Sequence, residues 1–143
     1  MVPVLIALMM AIPRPACAAP PTELEYKDLV VGTGDVLKRN AFAVMHFVAW
    51  VYDEGAPEYK GVQFGDSRKR GETVTWVYGL RRAIVGVEKG MEGMRAGGKR
   101  YILIPSKLGY DGRKHVAPPD VPSSAALIFE VELLSVVPQS APQ

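Results

Sequence analysis

From about Leu24 onward the chain alternates apolar and polar positions in short runs separated by glycine, proline and charged punctuation. Leu24–Val30 alternates well enough for an edge strand and stops at the glycine-rich turn Gly32-Thr33-Gly34-Asp35. Phe42–Tyr52 is a long run of β-branched and aromatic residues with almost no charge, which predicts a strand crossing the middle of a sheet with both faces covered. Gly71–Tyr78 reads as a further strand with Val74, Trp76 and Tyr78 on one face and Thr73, Thr75 and Val77 on the other. The period then changes. Ile84, Val87, Met91 and Met94 fall at helical spacing and Gly97-Gly98 stops the run, which predicts one helix. Gly86, Gly90 and Gly93 each cost that helix about 1 kcal/mol relative to alanine, so packing rather than propensity must hold it, and close backbone approach is one use for them. Lys99–Pro105 and Ala126–Val137 are the last two strands, the second setting Leu127, Phe129, Val131 and Leu133 against Ile128, Glu130, Glu132 and Leu134. The long loop between them, Ser106–Ser124, carries Pro118, Pro119 and Pro122 and has the length of a functional or disordered loop. The expected architecture is α+β, an antiparallel sheet of five to six strands curved around one short helix.

The first segment has a different character. Met1–Ile12 is almost wholly apolar, and Ala16-Cys17-Ala18 supplies small residues of the kind that signal peptidase accepts, so residues 1–18 are expected to be a signal peptide cut after Ala18. A run of 12 residues falls short of the ~20 helical residues needed to cross a hydrocarbon core of ~30 Å, so no membrane span is expected. Residues 19–143 then form a single domain with its core at about 22–137, and the expected location is outside the cytoplasm, most simply a periplasm. Cys17 is the single cysteine and leaves with the leader. As a lipid anchor it is disfavoured, because Arg14-Pro15-Ala16 lacks the aliphatic residue that usually stands three positions earlier.

Composition adds exclusions. The chain has 17 basic and 15 acidic residues, and losing Arg14 with the leader leaves 16 against 15, so a nucleic-acid partner is not indicated. His46 and His115 stand alone without a second ligand at metal spacing, and no metal site is expected. There is no cysteine nucleophile in the mature chain and no glycine-rich phosphate loop. Trp50 and Trp76 lie in strands and Met91 and Met94 on the helix stripe, places where packing is their ordinary role.

Several segments, taken together, carry a resemblance. Val44-Met45-His46-Phe47 resembles the Val-His-Tyr segment of the FKBP family, and Phe64–Gly71 resembles its Phe-Asp-Ser-Ser-x-x-Arg-Gly stretch. Ile84–Gly90 is similar to Val-Ile-x-Gly-Trp-Glu-x-Gly, and Gly93–Arg100 to Met-x-x-Gly-x-Lys-Arg. Ile104–Tyr110 is similar to Ile-Pro-x-x-Leu-Gly-Tyr, and Ala126–Leu134 to Leu-Ile-Phe-Asp-Val-Glu-Leu-Leu. The blocks occur in the family's order across nearly the whole mature chain.

The resemblance implies a peptidyl-prolyl cis-trans isomerase that assists protein folding, takes proline-containing polypeptides as clients and macrolides as inhibitors, and needs no cofactor. It implies catalytic roles for Phe64, for Tyr110, whose hydroxyl would donate to a client carbonyl, and for Ile84, whose backbone amide would do the same. Phe47, Val74, Ala83, Val87, Val121 and Phe129 complete the implied pocket, with Asp66 and Arg70 as polar support. Without the ordered matches, Phe47, Phe64 and Phe129 read as core residues of a β protein, and Tyr110 reads equally well as a structural hydroxyl. Departures from the family pattern stand at the pocket itself: Val87 replaces a floor tryptophan, Val74 a wall phenylalanine, Phe47 a tyrosine and Gly65 a buried aspartate. They leave open a second reading, a proline-recognising chaperone or interaction domain with weak or no catalysis. No long helical arm of the kind used for dimerisation precedes the domain, so a monomer is expected.

Overall fold

The computed structural model describes residues 20–80, 84–111 and 117–139. The expected leader with Cys17, together with Arg81, Arg82, Ala83 and His115, lies outside the described residues. Six strands form one antiparallel sheet: β1 (Glu25–Val30), β2 (Phe42–Tyr52), β3 (Lys60–Asp66), β4 (Val74–Val77), β5 (Lys99–Ile104) and β6 (Leu127–Val137). Their order is β1-β5-β6-β2-β3, with β4 also paired to β2. Among the described residues a single α-helix, α1 (Val85–Gly90), packs against β5.

The uncharged run Phe42–Tyr52 is indeed central. It pairs with β6 on one side, while β4 takes its first half and β3 its second half on the other. Only one of its faces is covered: Ala43, Met45 and Ala49 are fully buried, whereas Val44, His46, Val48 and Trp50 are half-buried on the reverse. Trp50 meets that half-wet face by lying under the Lys60 ammonium, 4.6 Å from the ring centroid. Trp76, by contrast, packs on the core together with Val74 and Tyr78, the face their alternation predicts.

The helix is shorter than its apolar stripe. Regular α-helix ends at Gly90, and the chain passes through turns, with Gly93 at φ 78°, before β5. Val87, Met91 and Met94 are nonetheless all buried on the sheet, because the turns continue the same inward face. The glycines allow this contact: a β-carbon on Gly86 would stand 2.4 Å from Cγ2 of Ile104, and one on Gly90 would stand 2.6 Å from Cγ2 of Ile102. Burial of Ile102 and Ile104 against bare helix backbone therefore offsets the poor intrinsic propensity. Arg100 fastens the far end. Buried in the sheet, its Nη1 donates to the carbonyls of Gly90 and Glu92 at 2.8 Å each, while its Nε donates to Asp28 on β1 at 2.7 Å.

Strand β3 has no clear alternation in the sequence, since Lys60-Gly61-Val62-Gln63-Phe64-Gly65-Asp66 mixes glycines with both residue classes. Its pairing with β2 is broken by bulges, which explains the lost period.

Candidate functional site

The register of β2 decides which side chains meet. Ala49 is opposite Phe129 on β6 and opposite Gly65 on β3, so two of the three positions in this row carry almost no side chain and leave room above the sheet. Phe47, two residues earlier on the same face, is opposite Val131 and therefore diagonal to Phe129. The two rings stack with centroids 5.8 Å apart. Between Ala49↔Gly65 and Trp50↔Gln63 the register slips by one residue, and the extra residue is Phe64. This bulge aims the Phe64 ring at the same row, where it meets Phe129 edge-on at 6.0 Å and Tyr110 at 6.4 Å.

The remaining candidates belong to the same hydrophobic core as these rings. Val87 on α1, Val121 on the long loop and Phe129 are buried in it. Phe47, Phe64, Val74, Ile84, Leu108 and Tyr110 pack against it and are half-buried. Ile84 is the residue before α1, with extended backbone at φ −56° and ψ 135°, and its carbonyl accepts the amides of Val87 and Glu88. Tyr110 follows the 3₁₀ turn Ser106–Leu108. Burial pushes its phenol above the ordinary tyrosine value, so the hydroxyl stays a proton donor, and no acceptor holds it among the described residues.

The chain as a whole has known counterparts. The profile of the FKBP-type peptidyl-prolyl cis-trans isomerases matches residues 34–134. The chain belongs to that family. An FK506-binding protein of Neisseria meningitidis serogroup B is 36% identical over 110 residues, which cover 77% of this chain and 93% of that protein. The human peptidyl-prolyl cis-trans isomerase FKBP2 is 37% identical over 103 residues, 72% of this chain and 62% of the human protein. Among solved structures, FkpA from Escherichia coli superposes with a TM-score of 0.67 at 31% identity, over 82% of this chain and 49% of FkpA. This chain thus spans about half the length of FkpA. AtFKBP13 gives a TM-score of 0.65 at 26% identity, over 81% of this chain and 94% of its own. The activity that goes with the family is peptidyl-prolyl cis-trans isomerisation.

Within this FKBP domain the polar groups flanking the cluster, Asp66 and Arg70 among them, divide their contacts. Asp66 turns its Oδ1 to the amides of Arg68 at 3.0 Å and Lys69 at 3.2 Å, capping the turn that leaves β3. Arg70 lies over Phe47, with its guanidinium carbon 5.7 Å from the ring centroid. The buried polar link is instead Ser67. Its Oγ accepts the Phe47 amide at 2.9 Å, stands 2.8 Å from His46 Nδ1, and donates to the Phe47 carbonyl at 3.3 Å. The Ser67 amide donates to that same carbonyl at 3.0 Å, so the segment after Phe64 is clamped to β2 at Phe47. Sequence reasoning passed over Ser67; the only signal was a small hydroxyl residue inside the Phe64–Gly71 block. Ala83 lies outside the described residues.

Proposed function

We propose that the cluster of Phe47, Phe64, Val74, Ile84, Val87, Tyr110, Val121 and Phe129 receives the proline of a polypeptide client and isomerises the preceding peptide bond. One observation carries this reading: the rings of Tyr110, Phe64, Phe129 and Phe47, drawn from four separate segments, form a chain of successive contacts with centroids 5.8–6.4 Å apart. Rotation about an Xaa-Pro bond meets a barrier of about 18–20 kcal/mol, because the twisted amide loses its resonance. That twisted state is less polar than the planar one. Apolar walls that exclude water therefore bind it more tightly than the ground state, and each ~1.4 kcal/mol of such preference is worth about tenfold in rate. No covalent bond is made or broken. The Tyr110 hydroxyl and the Ile84 amide are the donors proposed to hold client carbonyls while the bond turns.

Val87 and Val74 in place of the family's aromatic residues make the walls thinner, which favours modest turnover and a weaker grip on macrolides than a pocket closed by aromatic faces. The apolar segment Met1–Ile12, with Ala16-Cys17-Ala18 after it, supports export, cleavage after Ala18 and action on folding clients outside the cytoplasm. Among the described residues no helix is long and apolar enough to cross a membrane. A monomer is the proposed state of the mature chain, to be checked by light scattering.

The deciding measurement is magnetisation exchange between cis and trans signals of short Xaa-Pro peptides at micromolar protein. Exchange accelerated over the uncatalysed rate supports isomerisation. Peptide binding without acceleration would replace it with a proline-recognising chaperone, and absence of both would end the reading.

A further inference from the structure

We propose that Arg70 recognises a carboxylate on the client residue next to the proline, so that the site prefers Xaa-Pro segments flanked by Glu or Asp. The inference rests on the reading above that the Phe64 cluster takes the proline ring. A cleft of about 420 Å³ opens beside that cluster and shares Phe64 with it; Gly65, Arg70, Pro118 and Asp120 form much of the remaining wall. Neighbouring residues in a chain are about 3.8 Å apart at Cα, so a residue adjacent to a proline seated on Phe64 projects its side chain into this cleft.

The charges in the cleft are unequally committed. The Asp66 Oδ1 is occupied by the turn amides of Arg68 and Lys69, and the Lys69 ammonium donates to Gln63 at 2.8 Å. Arg68 is paired with Glu132, and Arg100 with Asp28. Arg70 has no carboxylate partner among the described residues and holds its guanidinium over the Phe47 ring. A guanidinium held over a ring face keeps its donors free at the edge, which suits bidentate capture of a carboxylate. Gly65, on the same wall, adds no side chain to the cleft. Asp120, exposed on the same cleft, opposes an incoming acid and holds the preference to a modest size.

The test compares peptides that differ only in Glu against Gln immediately before or immediately after the proline, using the whole chain at low ionic strength. Both turnover and affinity are measured, the latter by tryptophan fluorescence or chemical-shift titration. The expected Glu-over-Gln ratio is about two- to fivefold in at least one position, as for a partly exposed ion pair. It should shrink in high salt, fall to about one in Arg70→Met and grow in Asp120→Asn. A ratio of one at both positions in the unmodified chain, with turnover present, would overturn the inference and leave isomerisation standing. A ratio unchanged by Arg70→Met would overturn it too. An affinity ratio above one without turnover would keep the inference and remove the isomerase reading, whereas no binding of any peptide would remove both.

Discussion

Phe47 fills the space that a side chain at position 65 would need: a β-carbon built on Gly65 comes 2.9 Å from Cε2 of Phe47 and 3.6 Å from Cβ of Ala49. The resemblance to the family, with tyrosine and aspartate at these two positions, implies a buried polar pair replaced as a unit. Removing both partners can be nearly neutral, whereas removing one strands a buried group at a cost of about 1–3 kcal/mol.

Restoring the pair one member at a time should expose this coupling. Gly65→Asp alone is expected to destabilise the domain by about 1–3 kcal/mol, through crowding against Phe47 and an acid without its hydroxyl partner. Phe47→Tyr with Gly65→Asp should be more stable than the sum of the singles by about 0.5–3 kcal/mol. Urea denaturation of the four chains measures the cycle, and strict additivity would sink the idea.

Ser67→Ala removes the hydroxyl that bridges His46, the Phe47 amide and the Phe47 carbonyl. A loss of about 1–3 kcal/mol in stability is expected from the buried groups left unpaired. Because the clamp holds Phe47 and the Phe64 segment together, affinity for a proline peptide should fall as well. Unchanged stability in denaturant would mean that the hydroxyl is dispensable.

Val87 is almost fully buried, at 2% exposure, in the core against which Phe47, Phe64 and Tyr110 pack. Val87→Trp supplies an aromatic floor, and an added aromatic contact is worth about 0.5–1.5 kcal/mol, or about two- to tenfold in affinity for proline peptides and macrolides. Titration of the variant checks this, with turnover expected to rise in parallel. If neither changes, Val87 does not face the client.

Burial keeps the Tyr110 phenol above its ordinary value of 10.0. The folded state thus favours the neutral phenol, and its contribution to stability is intact below pH 10 and lost as pH rises through the folded value. Tyr110→Phe should therefore lose less stability than the unmodified chain above pH 10, and its phenolate absorbance should lack one late-titrating tyrosine. Tyr78, also raised by burial and then by Glu92 and Glu88, remains as an internal comparison. If the hydroxyl donates to the client, turnover at neutral pH falls about two- to tenfold, from a lost hydrogen bond of about 0.5–1.5 kcal/mol.

The strands with a clean period are legible in the sequence. Phe42–Tyr52 and Ala126–Val137 announce themselves almost to their ends because a pleated strand sends alternate residues to opposite faces, whereas of Gly71–Tyr78 only Val74–Val77 is paired as strand. Lys60–Asp66 did not, because its bulges break that alternation, and one of them is what turns Phe64 toward Phe129. The helix stripe Ile84, Val87, Met91 and Met94 was readable, while its end at Gly90 was not, since turns can carry on an inward face without helical hydrogen bonds.

What the amino-acid order determined by itself was the family, the central strand, the helix face and the identity of the ring-bearing residues, all of which follow from local periodicity and short ordered motifs. Tertiary structure alone decided that Ala49 stands opposite Gly65 and that the Phe47 ring lies where a side chain at position 65 would go. It also decided that Ser67 bonds to Phe47, and that Arg70 lies over the Phe47 ring. These outcomes depend on register and on contacts between residues far apart in the chain, where a shift of one position would send every side chain to the opposite face.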